Sequence, residues 1–154
     1  MSIQQSLLQH LLDMNGKNNI ENISIRKIKS FKVPIYYYDM QRKIKKNGFD
    51  IINFFGKNDY ENSFKEFVSL IISHIELAAI YLNYPFNKAK DIIDFKDFKM
   101  DEKTEYVVFS ILTAGSKIDE FLKTKNEDEK KISDVVIEVY LTTARNIIIE
   151  MIEE

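Results

Sequence analysis

Residues 24–48 read SIRKIKSFKVPIYYYDMQRKIKKNG, and they gather the side chains best suited to chemistry with a polyanion. Arg26, Lys27, Lys29, Lys32, Arg42, Lys43, Lys45 and Lys46 stand against one carboxylate, Asp39, and three consecutive tyrosines, Tyr36, Tyr37 and Tyr38, lie between the two basic groups. Tyr37, Met40 and Ile44 recur at i, i+3 and i+7, which predicts a helix over 34–46 with those three turned inward. Ile35, Tyr36, Tyr38, Asp39, Arg42, Lys43, Lys45 and Lys46 then point outward. An α-helix fits the major groove of duplex DNA, where a guanidinium such as that of Arg42 can grip a guanine edge through two hydrogen bonds. Tyrosine hydroxyls and lysine ammoniums suit phosphate oxygens. The bland alternative is a solvated face in a chain rich in Ile, Lys and Asn, a composition that AT-rich coding produces by itself.

Other chemistry finds less support. There is no cysteine, which excludes disulfides, thiolate metal sites and cysteine nucleophiles. His74 and Glu76 match half of a zinc-deaminase pattern whose cysteine pair is missing, so His74 reads as a helix-surface or partly buried imidazole. Asp91, Asp94, Asp97, Asp101, Glu102 and Glu105 come at near-helical spacing, as Mg²⁺ ligands can, but no second acidic pair follows and Lys96 and Lys99 dilute the group. The four glycines stand apart, so no phosphate-cradling loop is formed. No Ser or Thr has a His-plus-acid arrangement, and no cofactor or enzymatic activity is expected.

The elements that must position the basic stretch are read as helical. Four Gly and two Pro in 154 residues are few for an all-β fold, and a 45% apolar content suits a chain that buries a core. Helices are predicted over 3–14, 25–31, 34–46, 60–83, 87–98, 101–123 and 128–152, with Asp59, Asp101 and Asp128 as N-caps. Residues 49–55 read as either a wing strand or a further helical piece. The fold class expected is therefore all-α. A three-helix N-terminal unit over 1–56 would precede a helical domain over 57–154 that ends in an antiparallel helix pair. That pair, at about 103–124 and 129–153, either closes a monomeric core or makes a four-helix homodimer interface. The start MSIQQSLLQH lacks a signal-peptide pattern and the most apolar window is too short to span a bilayer, so a soluble cytoplasmic protein with no membrane contact is expected. Charge is uneven: residues 100–154 carry seven basic and thirteen acidic groups, the reverse of residues 24–48.

SIRKI, then Val33 and Pro34, then YYYDMQRKI resemble the second and third helices of a helix-turn-helix DNA-binding unit, over about residues 3–56. Two subclasses compete. In the tetracycline-repressor-like regulators, the helices from residue 60 onward would correspond to a dimerising domain that takes a small apolar ligand. Tyr37 and Lys43 sit where that family tends to have a Tyr and a Lys. In the winged class, IKKNGF followed by DII is the better match. The sequence departs from the motif at Lys29, where a small residue is usual, and at Lys32, where Gly is usual. The resemblance implies a homodimeric transcriptional regulator that binds double-stranded DNA at a palindromic site through Arg26, Lys27, Tyr36, Tyr38, Arg42, Lys43, Lys45 and Lys46. The competing expectation is a helical protein–protein interaction module, of the phage or plasmid accessory or inhibitor kind, without DNA binding.

Overall fold

The computed structural model of the chain describes residues 24–29 and 31–153. The helix expected over 3–14 lies outside the described residues. In chain order the elements are β1 (Ser24–Lys29), α1 (Tyr37–Lys46), α2 (Ile51–Phe55), α3 (Tyr60–Ser73), β2 (Ala78–Pro85), α4 (Phe86–Ala89), β3 (Tyr106–Thr113), α5 (Lys117–Lys123) and α6 (Glu127–Glu153). They belong to two compact units, one of residues 24–27 and 80–111, the other of 28–79 and 112–153.

The first unit is built on a three-stranded antiparallel sheet in the order β1-β2-β3. Leu82, Tyr84 and Ala89 form its buried centre, with Ile92, Phe95, Val107 and Phe109 packed on them. Tyr84 meets Phe109 edge-on with ring centres 6.1 Å apart, and Phe95 meets Phe86 and Phe98 at 5.4 and 5.7 Å. Such edge-to-face pairs set the positive rim of one ring on the negative face of the next.

The second unit is helical. Met40 and Ile44 of α1, Ile51 of α2, Phe64, Val68 and Ile71 of α3, Ile118 of α5, and Ile132, Val135, Val136 and Tyr140 of α6 make one core. The helices α1, α3 and α6 contribute positions three or four apart, so each lays one stripe into that core, and α2 and α5 add one buried residue each. A reciprocal cap starts α6: Asn126 Oδ1 accepts from the Glu129 amide at 2.9 Å, and Glu129 Oε2 accepts from the Asn126 amide at 3.0 Å. The cap lies at Asn126, two residues before the expected Asp128.

The all-α expectation is overturned by the sheet, and with it the expected N-terminal three-helix unit. The helix expected over 25–31, the first of the helix-turn-helix pair, is replaced by β1 (Ser24–Lys29). That reading rested on Ile25, Ile28 and Phe31, and pairing with β2 outweighs so sparse a helical signal. The helix expected over 60–83 stops at Ser73, where the Ser73 hydroxyl (2.7 Å) and His74 Nδ1 (2.8 Å) both bond the Leu70 carbonyl. These side chains satisfy an end-of-helix acceptor, and residues 78–85 then form the middle strand. The all-round apolar run that suggested a buried helix is thus one helix face followed by a partly buried strand.

The helix expected over 101–123 is likewise replaced by β3 and the seven-residue α5. Asp101 does cap, but it caps a turn: its carboxylate accepts from the Lys103 amide at 3.0 Å. The C-terminal pair of long antiparallel helices is therefore absent, because only α6 is long. The homodimer surface expected at about 103–124 and 129–153 loses its first helix to β3. Of the helix expected over 87–98, only Phe86–Ala89 forms, and hydrogen-bonded turns follow, one held by Asp94 accepting from the Lys96 amide. Residues 51–55 are helical, not a wing strand, and Asp50 caps them by accepting from the Asn53 amide at 3.1 Å.

Candidate functional site

The helix α1 forms three residues later than the spacing suggests, after Pro34, Ile35 and Tyr36. Asp39 sits in its first turn and Lys43, Lys45 and Lys46 in its last, so charge opposes the helix dipole at both ends. The stop is built from three backbone bonds: Asn47 to the Lys43 carbonyl (3.0 Å), Gly48 to Lys45 (2.9 Å) and Phe49 to Ile44 (3.3 Å). The last two are the paired bonds of a glycine-terminated helix, and Gly48 takes the left-handed conformation (φ 84°) that this end requires.

Met40 and Ile44 are buried and fix the rotation of α1 against α6, its main packing partner. Tyr37 is half-buried, with its ring 5.9 Å from the Lys65 ammonium. Side chains on the other side of α1 stand in solvent: Tyr38 is 76% exposed, Tyr36 is 49% exposed, and Arg42, Lys45 and Lys46 are exposed. The structure thus brings Tyr36, Tyr38, Arg42, Lys43, Lys45 and Lys46 onto one helix and the residue before it. Arg26 and Lys27 are exposed on β1 instead.

Several of these cations already have neighbours. Lys43 Nζ bonds Glu138 Oε1 of α6 at 2.5 Å. Arg42 lies 3.8 Å from Asp39 one turn away, and Lys45 lies 6.0 Å from the Tyr60 ring. Two clefts border α1 within this unit. One of about 580 Å³ is lined by Asp39, Arg42, Lys43, Lys46, Asn47 and Val139. The other, of about 500 Å³, runs past Asn47, Gly48 and Phe49 to Lys131, Asp134 and Glu138. Both carry charges of both signs, and Ile44, Phe49, Ile132 and Val135 also line the second.

Glu138 was not legible as part of this surface. Its outward position on α6 follows from the burial of Val135, Val136 and Tyr140, but nothing in one sequence says that α6 lies against α1. His74, set aside as a metal ligand, is half-buried and stacked on Phe121 with ring centres 4.2 Å apart. The acidic residues at 91–105 lie in the turns after α4 and before β3. Among the described residues no cluster of three or more His, Asp or Glu is placed to hold a metal, and no helix is long and apolar enough to cross a membrane.

No family model, no curated protein and no solved structure matches this chain.

Proposed function

We propose that this protein is an interaction module that works by contact with another protein, through the outer face of α1. Tyr36, Tyr38, Arg42 and Lys46 would make the contact. The observation that supports this reading is the mixture of charge around the helix: Arg42 beside Asp39, Lys43 bonded to Glu138, and Asp134 at the rim of the adjoining cleft. A polyphosphate groove laid on α1 would meet those carboxylates along with the cations. A protein surface can answer both signs, and such complementarity sets partner choice. Tyr and Arg are also the residue types that carry most of the energy at protein interfaces.

The test is to place a photo-crosslinking amino acid at Tyr38 in the full chain and identify the adduct. The reading expects one protein, whose affinity measured by calorimetry falls by about 2 kcal/mol or more in Tyr38→Ala and in Arg42→Ala. Adducts to nucleic acid would replace it with the second reading.

That second reading is a duplex-DNA-binding regulator acting as a homodimer on a palindromic site. It is favoured by one observation, that α1 offers Arg42, Lys45 and Lys46 on a solvent-facing helix. The helix-turn-helix pair would not present it, since β1 stands where the first helix was expected. In this reading Arg42→Ala costs about 1–3 kcal/mol on one preferred sequence in an anisotropy titration, while an equal loss on every sequence would assign Arg42 to phosphate contact.

A further inference from the structure

The strand β3 reads YVVFSILT, eight residues with no charge, no Gly and no Pro. It is an edge strand, with β2 as its neighbour among the described residues. Among the described residues no strand pairs with its outer edge, and such an edge presents a row of backbone donors and acceptors, the arrangement that templates pairing with another strand. Val107 and Phe109 face the core of their unit, whereas Tyr106 (56% exposed) and Val108 (41%) face solvent. The edge carries none of the usual guards: no inward charge, no lysine, no proline.

We propose that β3 is the pairing edge for a second copy of this chain, joining two three-stranded sheets into one continuous antiparallel sheet of six. Charge selects this occupant. The opposite edge, β1, carries the exposed Arg26 and Lys27, so two copies meeting there would set like charges close to one another. Two copies of β3 set no charges opposite at all. A partner strand bearing charges would find no counter-charge along this edge, whereas a second β3 is matched to it residue for residue.

Two-fold symmetry also fixes the register. Residues opposite one another in a sheet must point to the same face, so a residue, not a gap between residues, lies on the axis. With Ser110 on the axis, hydroxyl faces hydroxyl, Phe109 faces Ile111 of the other copy, and Val108 faces Leu112. Every apolar side chain over 107–113 except Val107, which meets Thr113, then meets an apolar one.

The experiment uses the full chain and reads its mass by sedimentation as a function of concentration. The proposal expects a reversible dimer that Val108→Lys dissociates while circular dichroism and the melting temperature stay near the wild-type values. Because the chain has no cysteine, Ser110→Cys supplies one reporter thiol per copy, and opposite Cα atoms in an antiparallel pair are within disulfide reach. Mild oxidation of Ser110→Cys should give a covalent dimer in high yield, and Arg26→Cys should not. A monomer at every concentration, a dimer that survives Val108→Lys, or equal crosslinking of the two cysteine variants would each overturn the proposal. If Val108→Lys fails to fold, the cysteine pair still decides.

Discussion

Gly115 and Gly48 both hold positive φ, 80° and 84°, yet they should respond very differently to alanine. At Gly48 an added Cβ has open space, so Gly48→Ala pays only the conformational strain, about 1 kcal/mol. At Gly115 the same Cβ would lie 2.9 Å from Glu76 Cβ and 3.2 Å from the Glu76 carbonyl. The Glu76 amide is bonded to the Ala114 carbonyl at 2.8 Å, and its side chain to Lys117, so the backbone there cannot simply withdraw. Gly115→Ala should therefore lose about 3 kcal/mol in urea denaturation, strain and overpacking together. Tyr84 makes a second prediction at this scale. Burial, and after it the Asp91 carboxylate, push its phenol pKa above the ordinary value of 10.0. Burial alone raises Tyr140. The folded state thus holds the Tyr84 proton more tightly than the unfolded chain. The stability this gives is complete below pH about 10 and is lost as pH rises through the higher folded value. Urea midpoints should fall above pH about 10, and the fall should be shallower in Tyr84→Phe. An equally steep fall in that variant would assign the alkaline loss to groups other than Tyr84, Tyr140 first among them.

Among the elements, α1 and α6 were readable and the sheet was not, for physical reasons. The signals for α1 agree on its face and its end, with Tyr37, Met40 and Ile44 on one stripe and Asn47 and Gly48 behind it, while Pro34, expected at the first position of the helix, lies three residues ahead of it. The strands β2 and β3 satisfy both templates: Ala79 and Leu82, and Val107, Val108, Ile111 and Leu112, fit the helical period, while Leu82 and Tyr84, and Val107, Phe109 and Ile111, fit the extended one. Length, and the density of Val, Ile, Tyr and Phe in β3, were the signals that could have arbitrated. At the candidate site, the outward positions Tyr36, Tyr38 and Arg42 follow from the α1 stripe, while Glu138 depends on which helix packs beside it. Ile44 tests how firmly α1 is seated. It is 1% exposed between α1 and the rest of the core, so Ile44→Ala should cost about 2–5 kcal/mol by thermal or urea unfolding. Asn126→Ala removes one bond of the cap of α6 and should cost about 1 kcal/mol, leaving the fold in place. A loss from Ile44→Ala no larger than that from Asn126→Ala would mean that α1 contributes little to the core.

For the whole molecule, the decisive quantity is how charge is distributed in space. The chain is nearly neutral at −2, and the run of cations over 24–48 looks one-sided in the sequence. Folding changes that balance, because Asp39 stays beside Arg42 and α6 brings Glu138 onto Lys43. Both pairs are solvent-exposed, so each stabilises the fold by about 1 kcal/mol at most, and their larger effect is on what the surface can bind. Each lysine or arginine that neutralises a phosphate steepens the salt dependence of log affinity by about 0.9, and a carboxylate alongside cancels part of that gain. Neutralising the two acids in Asp39→Asn/Glu138→Gln should therefore turn α1 into a polyanion-binding helix while leaving the melting temperature almost unchanged. The variant should be retained on heparin at low salt and elute with a steep salt dependence, where the wild type passes through. Wild-type retention as strong as the variant's would show that the carboxylates do not mask the cations, and would move the reading of this surface from a protein partner to duplex DNA.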